Sequence, residues 1–212
     1  MQQIIIGTKN TAKINQIRGA LALSGISVDG LPSGVVFEEV KEDGVTAQEN
    51  ARKKALAYAK TLGQPVLSMD NALYFDDLKP EEQPGINVRR IAGRDDRPTD
   101  EELTDHYQKL ISELGETTKG YWEFAVCVAR PDGSIEETII ISPRIFVGKK
   151  SEKTVPGYPL ESLQIDPGSR KYISEMTQEE QDIFWQKTIG GPLCEFVKNL
   201  QEEREHEKLN LA

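Results

Sequence analysis

The first residues that could do chemistry lie in the opening segment, where an apolar run leads into a polar turn. Residues 4–6 are three isoleucines, typical of a strand buried on both faces, and Gly7, Thr8, Asn10 and Lys13 follow at once. Backbone N–H groups at the start of a helix attract anions, and Lys13 adds a positive charge in the first turn. The segment therefore predicts a phosphate site. An ordinary polar turn is the alternative, because the P-loop ending GK[ST] is missing.

Two acidic residues near predicted strand ends form the next candidates. Glu42 lies between a predicted strand and a helix, and Asp70 ends the apolar segment PVLSMD, which we predict to be a strand that stops at this residue. Ligand sites of α/β sheets gather at the carboxyl ends of strands. Carboxylate oxygens there suit Mg²⁺, a hard cation, and Asp70 is also placed to take a proton from water. A charged turn is the alternative for Glu42.

Basic residues on the next helix and on a later turn complete the candidates. Lys53 and Lys54 are neighbours on the predicted helix, and each could reach a phosphate, while at least one of them is expected to be only solvated. Arg89 and Arg90 follow a Pro-Gly turn. These side chains would add positive charge to the same site.

The elements that must position these residues follow from periodicity and capping signals. Strands that alternate with helices, followed by a long hairpin, predict an α/β fold with a mixed sheet. The last dozen residues are expected to be a charged helix extension or a disordered tail. The predicted elements are a strand at 3–7, a helix at 12–23 capped by Thr11, a strand at 35–40, a helix capped by Thr46 and ended by Gly63, a strand at 65–70, a helix at 99–114, a hairpin at 121–148 and a helix at 177–200.

Composition limits the class of protein. The chain has 212 residues and is 37% hydrophobic, which suits one large domain or two small lobes. A net charge of −9 argues against binding to nucleic acid or to membrane surfaces. Two cysteines without metal spacing fit a reducing compartment, and we see neither a signal peptide nor a membrane span, so we expect a soluble cytoplasmic protein.

The order of these motifs resembles the inosine triphosphate pyrophosphatase family, also called the Ham1 family. The resemblance rests on GTKNTAK, then EDGVTAQENARKKALAYAKTLGQPVLSMDNAL, then PGINVRRIAG. It is good over roughly the first 95 residues and weaker beyond them, where SEMTQEEQDIFW is similar to a C-terminal segment of the family. The combined order is more specific than any single motif.

The resemblance implies an elongated α/β fold in which helices flank a mixed central sheet and a nucleotide cleft separates two lobes, all within a single domain over residues 1–212. It also implies a homodimer and Mg²⁺-dependent hydrolysis of nucleoside triphosphates to the monophosphate and pyrophosphate, with deaminated purines preferred. Glu42 and Asp70 would hold Mg²⁺, and Asp70 would also accept the proton of the attacking water. The residues that the resemblance assigns to the phosphates or matches to the substrate site are Thr8, Asn10, Lys13, Lys54 and Arg90.

The chain departs from the family pattern at the residues that would read the base. The family's F-G-Y-D segment best matches residues 156–159, so Pro159 stands in place of its aspartate, while Tyr158 is kept and could stack on a base. Gln181 replaces a lysine, and residues 185–187 replace an S-H-R triplet. Met69 replaces the first of two acids before the apolar residues of the strand end. We therefore predict a relaxed or shifted base preference.

Three functions remain open at this point. The first is a Mg²⁺-dependent nucleoside-triphosphate pyrophosphatase with altered base specificity. The second, motivated by Met69 and the changed base segment, is a nucleotide-binding or regulatory protein of the same fold that has lost turnover. The third is an interaction module in which the polar turns are only turns.

Overall fold

The computed structural model describes the backbone from Gln2 to Asn210 and the side chains from residue 3 to residue 200. Over this part of the chain, strands and helices alternate first and a long hairpin follows. The elements are β1 (Gln2–Ile6), α1 (Thr11–Ala20), β2 (Ile26–Asp29), α2 (Ala47–Leu62), β3 (Val66–Phe75), α3 (Asp100–Glu113), β4 (Thr117–Ala129), β5 (Ile135–Val147), β6 (Gln164–Ile165), α4 (Gln178–Trp185) and α5 (Gly191–Asn210).

The strands form one mixed sheet in the order β2-β1-β3-β4-β5-β6. Strand β1 runs parallel to both of its neighbours, and the pairs from β3 to β6 are antiparallel. The β1–β3 pairing ends at Ile6 and Leu67, whereas β4 pairs with β3 along all ten residues. Beyond Leu67, β3 therefore has no strand partner on the β1 side, apart from an isolated bridge between Leu73 and Gly85.

Apolar clusters cover both faces of the sheet. One cluster joins α1, α4 and α5 to one face, and a second, rich in alanine, joins α2 to the other. A third surrounds α3 and the far end of the long strands, where Phe75, Tyr107 and Phe146 are fully buried. The predicted α/β fold with a mixed sheet flanked by helices is thus confirmed. The prediction of a single domain over residues 1–212 stays a prediction.

Capping residues set the helix ends near the cavity. Thr46 accepts a hydrogen bond from the Glu49 N–H, and Gly63 ends α2 in a left-handed conformation, as predicted. The prediction that Thr11 caps α1 is wrong, because Asn10 is the cap. Its Oδ1 accepts from the N–H groups of Ala12 and Lys13, which satisfies donors that the helix leaves free.

Two strand predictions are wrong. Residues 35–40 are irregular, with Val36 fully in solvent, and the second strand is Ile26–Asp29, where buried and half-buried residues alternate. Strand β3 does not stop at Asp70 but continues to Phe75, since β4 pairs with every residue on the way. Tertiary pairing here overrides the polar residues that suggested a strand end.

The C-terminal region is helical as predicted, but it is not one continuous α-helix. A wide π-type turn at Gln186–Gly190 separates α4 from α5, and α5 extends to Asn210. The predicted tail at 201–212 is therefore a helix extension as far as residue 210, and its last two residues lie outside the described part. No helix in that part is long and apolar enough to span a bilayer.

Candidate active site

Four charged side chains that the sequence predicted as site residues come together, and we call them the charge cluster: Lys13, Glu42, Lys54 and Asp70. The Lys54 Nζ lies 3.0 Å from Asp70 Oδ1 and 3.3 Å from Glu42 Oε2. The Lys13 Nζ lies 4.0 Å from the same Asp70 oxygen. Two cations and two carboxylates from separate parts of the sequence thus share one place.

Different elements hold the members of the charge cluster. Lys13 projects from the first turn of α1, Lys54 is a buried residue of α2, and Asp70 lies on β3 beyond Leu67, where β3 has lost its partner β1. Asp70 therefore reaches the site from the middle of a strand, and the carboxyl end of β1 provides the opening. The rule that sites gather at carboxyl ends of strands holds for β1 rather than for β3.

The surroundings of Lys13 disfavour its charged form. Burial, followed by the nearby charge of Lys54, lowers the pKa of Lys13 from 10.5 to about 8, although Asp70 and Glu42 act in the opposite direction. An anionic ligand beside Lys13 would favour its charged form. The cluster is thus prepared for a negatively charged group such as phosphate.

Met69 contributes to the site through its backbone only. Its carbonyl oxygen accepts a hydrogen bond from the Lys13 Nζ at 3.0 Å and a longer one from the Lys54 Nζ at 3.5 Å. The side chain is 1% exposed and packs in the apolar cluster on the opposite side from α2. At the position where the family has an acid, this chain therefore has a side chain that packs in the apolar core.

The opening turn is tightly packed against β3. The Gly7 N–H donates to the Leu67 carbonyl, and a Cβ on Gly7 would collide with the Ser68 hydroxyl and with the ring of Tyr58. Thr8 Oγ1 accepts from the Asn10 N–H at 3.1 Å. Thr8 thus supports the turn and lies outside the cavity lining, so its predicted contact with phosphate stays a prediction.

A cavity of about 540 Å³ extends from the charge cluster. This volume lies within the range of sites that hold small molecules. Asn10, Lys13, Glu42 and Asp70 line it, and Lys54 lies behind this part of the wall. The lining also contains rings that could stack on a base, namely Trp122, Phe124, Tyr158 and Trp185.

Tyr158 is fixed beside the opening turn. Its hydroxyl donates to Gln16 Oε1 at 2.6 Å, and burial raises its pKa well above the usual value, so it stays neutral. Gly157 lies so close to Asn10 that an added Cβ would be 3.1 Å from the Asn10 Oδ1. Tyr158, predicted from the sequence, therefore lines the cavity. Gln16 also lines the cavity, and it was not among the predicted residues.

The two adjacent arginines have different positions. Arg89 donates to Asp100 Oδ1 at 2.6 Å and to the Gly157 carbonyl at 3.3 Å, and Asp100 Oδ2 accepts from the Gly157 N–H. Arg89 and Asp100 thus hold Gly157, the residue before Tyr158, in place. Arg90 is exposed and lines the cavity, which leaves its side chain available to a substrate.

The donor set for a metal ion is small but chemically suitable. Among the residues with described side chains, no three acidic, histidine or cysteine side chains lie close enough to hold a metal by themselves. Glu42 and Asp70 are two hard oxygen donors that meet around the Lys54 Nζ. Mg²⁺ is commonly held by one or two carboxylates, with substrate phosphates and water completing its shell. The pair therefore fits Mg²⁺ bound together with a phosphate ligand.

Residues 4–184 match the sequence pattern of the Ham1 family. Among similar proteins, a dITP/XTP pyrophosphatase of Brucella melitensis is 30% identical over 190 residues, which cover 84% of this chain and 81% of the relative. A dITP/XTP pyrophosphatase of Halalkalibacterium halodurans is 30% identical over 185 residues, with 86% and 91% covered.

Solved structures agree with the fold. The Ham1 protein of Staphylococcus aureus superimposes with a TM-score of 0.67 at 23% identity, covering 93% of this chain and 99% of that protein. A HAM1 protein from Coxiella burnetii gives a TM-score of 0.68 at 18% identity, with 94% and 100% covered. At these identities the likeness concerns the fold.

Proposed function

Because the chain belongs to the Ham1 family, we propose that it hydrolyses nucleoside triphosphates to the nucleoside monophosphate and pyrophosphate. Relatives at about 30% identity that cover most of this chain are named dITP/XTP pyrophosphatase. The observation that carries the proposal is the charge cluster in the wall of a cavity whose lining also contains four aromatic rings. Such a cavity suits a ligand with a polyphosphate at one end and a flat ring at the other.

In the proposed reaction, Asp70 takes the proton of the attacking water while the bond between the α- and β-phosphates breaks. Asp70 is 13% exposed at its side chain and lines the cavity, so a water beside the phosphates would lie within its reach. Lys13, and Lys54 behind the wall, offset the negative charge that builds on the leaving pyrophosphate. Arg90 adds a cation at the cavity surface.

We assign Glu42 and Asp70 as ligands of Mg²⁺. When bound, Mg²⁺ would polarise the phosphoryl group and offset charge on the leaving group. Both carboxylates are held by Lys54 in the structure, so Lys54 keeps them together before a substrate arrives. The Met69 side chain cannot act as a ligand from its place in the core.

The base preference is proposed to be relaxed or shifted relative to the family. Tyr158 is in place, but Pro159, Gln181 and Trp185 stand where the resemblance puts base-reading groups. Gln181 Nε2 donates to the Ile173 carbonyl at 3.3 Å, so its amide is occupied within the protein. Discrimination is strong only where buried polar groups would lose their partners with the wrong base.

A hydrolysis panel tests the proposal. ATP, GTP, ITP, XTP, CTP and UTP are incubated with the protein, with and without Mg²⁺, and the products are identified by ³¹P NMR. We expect the monophosphate and pyrophosphate, and only with Mg²⁺. Diphosphate plus orthophosphate would contradict the proposed bond cleavage. A thermal shift with nucleotide but no turnover would instead support the binding protein, and no response of either kind would support the interaction module.

The assembly and the compartment stay predictions. The family resemblance implies a homodimer, which size-exclusion chromatography with light scattering would test. The free cysteines Cys127 and Cys194 are consistent with the cytoplasmic location that we expect.

A further inference from the structure

The cavity lining contains a buried carboxyl group without a partner. Glu161 is only 5% exposed and lines the cavity together with Tyr158 and Trp185. Its Oε2 atom has no hydrogen-bond partner among the described residues. A buried polar atom left without a partner is destabilising. Because Glu161 lines the cavity, a rotation of its carboxyl group would let a ligand there supply the missing hydrogen bond.

A buried cation accompanies this carboxyl group. Arg144 on β5 is 4% exposed, and its guanidinium lies 4.8 Å and 5.6 Å from the ring centroids of Phe184 and Trp185. Its Nη1 donates to Ser142 Oγ and to the backbone, while its Nε and Nη2 have no partner in the described part of the chain. Trp185 thus has the cavity on one side and is in contact with Arg144.

Glu161 and Arg144 shift each other's pKa, although the two side chains do not form an ion pair in the described structure. Burial raises the pKa of Glu161 to about 8, and the charge of Arg144 acts against this rise. Burial lowers the pKa of Arg144 to about 9, and the charge of Glu161 acts against this fall. The wall of the cavity therefore carries an acid near its titration point and a positive potential behind it.

We propose that Glu161 determines base specificity by hydrogen-bonding a base edge that carries a ring N–H beside an oxo group, as in hypoxanthine, xanthine and uracil. The inference rests on the proposed function and names the class of base for that site. An ionised Glu161 accepts from the ring N–H and repels the ring-nitrogen lone pair of adenine or cytosine. A neutral Glu161 pairs with either kind of edge, but the charge of Arg144 favours an oxo oxygen over an amino group.

This role agrees with the changed residues around the base. Glu161 belongs to the same short turn as Pro159, where the aspartate expected from the resemblance is missing. The same turn therefore still carries a carboxyl group, two residues after Pro159. Uracil carries the same oxo and N–H edge as hypoxanthine. The protein would therefore select bases by this edge and not by the presence of a purine ring.

Matched substrate pairs test the proposal. ITP and ATP differ at the base edge alone, and so do UTP and CTP, so the ratio of kcat/KM within each pair isolates the contact. We expect the wild-type protein to favour ITP and UTP by at least ~10-fold, a typical effect of a hydrogen bond to a charged group. Equal values within both pairs would overturn the proposal without any variant.

Two variants at the same position sharpen the test. Glu161→Leu should lose activity towards ITP, and Glu161→Gln should gain activity towards ATP, because an amide can present either a donor or an acceptor. Both should lower the ITP-to-ATP ratio at least ~5-fold. Glu152→Gln, an exposed glutamate outside the cavity, is the control and should keep the wild-type ratio. Unchanged ratios in both Glu161 variants would overturn the proposal.

Failure of the proposed function can be told apart from failure of this inference. If the wild-type protein hydrolyses none of the four nucleotides, the proposed function fails. The Kd values of ITP and ATP, measured by calorimetry with Mg²⁺, then test Glu161 without turnover, and tighter binding of ITP that is lost in Glu161→Leu supports it. Hydrolysis of all four with ratios near one in the wild type leaves the proposed function standing and overturns the role of Glu161.

Discussion

Asp70 is the residue on which the proposed chemistry depends most directly. Before a substrate binds, its Oδ1 is 3.0 Å from the Lys54 Nζ and 4.0 Å from the Lys13 Nζ. The carboxylate is the form that can hold a metal or take a proton. The same contacts fix the carboxylate at the edge of the cavity.

Replacing Asp70 by asparagine tests this assignment. Asparagine keeps the size of the side chain and an oxygen for Lys54, but it cannot accept the proton of water. We expect turnover to fall by at least ~10²-fold, a typical general-base effect, while the fold stays intact by circular dichroism. Asp76→Asn, an exposed aspartate just after the same strand, is the control. Near-normal activity of Asp70→Asn would remove it from the mechanism.

Lys13 and Lys53, two candidates for phosphate binding, differ in their surroundings. Lys13 lines the cavity, whereas Lys53 pairs with Asp43 at 2.6 Å and its side chain is 42% exposed. Lys13→Ala should therefore raise the KM for triphosphates by about 10-fold or more, as expected for loss of a charged contact. Lys53→Ala should change the KM by less than about 2-fold, since exposed ion pairs contribute little. Steady-state kinetics with both variants decides, and equal small effects would mean that the opening turn is only a turn.

How much of the site could be read from the sequence varies from residue to residue. Lys13, Lys54 and Asp70 could be predicted because each has a fixed place in an ordered set of motifs. Glu161 could not, because in the sequence it is one glutamate in an irregular proline-containing segment. Only the packing of the turn at Pro159–Leu163 against the sheet buries it, and no local pattern reports that burial.

At the scale of elements, strand β3 shows where local signals fail. The polar residues Asp70 and Asn71 suggested a strand end, but pairing with β4 carries β3 on to Phe75. The helix α2 was predictable to within a residue, because Thr46 and Gly63 are local signals for its two ends. Local capping chemistry is visible in the sequence, whereas the register of long-range pairs is not.

The turn between β1 and α1 offers a test at this scale. A Cβ on Gly7 would lie 2.7 Å from the Tyr58 Cδ2 and 2.9 Å from the Val66 Cγ1, besides its collision with Ser68. Gly7→Ala should therefore lower the free energy of unfolding by about 1–3 kcal/mol, measured by urea denaturation. It should also raise the KM for triphosphates, because the turn must move away from β3.

The control for Gly7 is another glycine with space around it. An added Cβ at Gly191, the first residue of α5, meets nothing within 4 Å, and the backbone there is helical. Gly191→Ala should be neutral or stabilising by up to about 1 kcal/mol. Equal stabilities of the two variants would show that the Gly7 turn accommodates a side chain.

At the scale of the whole molecule, the chain is acidic overall, whereas the charges in the cavity lining are balanced. The chain carries a net charge of −9, which disfavours long polyanions, yet the cavity lining has as many basic as acidic side chains. The lining could thus accept a small polyphosphate although the chain as a whole is acidic. The basic lining residues are Lys13, Lys41, Arg89, Arg90, Arg94 and Arg97.

The stability of the whole protein should carry a pH signature of Glu161. Its pKa is about 8 in the folded protein, against an ordinary value of 4.5, so between these two pH values the folded state holds more protons than the unfolded state. The contribution of Glu161 to stability therefore falls as pH rises through this window, by up to about 1.4 kcal/mol per pH unit. Arg144, the charged group that faces Glu161, stays protonated below its own pKa of about 9 and does not reverse the sign.

Glu161→Gln removes this dependence, because an amide does not titrate. Urea denaturation of the wild-type and variant proteins at pH 5, 6, 7 and 8 should show the variant gaining relative stability with each step. Taking the difference cancels other groups, including Lys13, which titrates near pH 8 in both proteins. Glu152→Gln, on the exposed surface, should follow the wild type at every pH. The difference in the free energy of unfolding between wild type and variant could instead stay constant within about 0.5 kcal/mol from pH 5 to pH 8. That result would mean that Glu161 is ionised throughout this range and that its burial has no energetic cost.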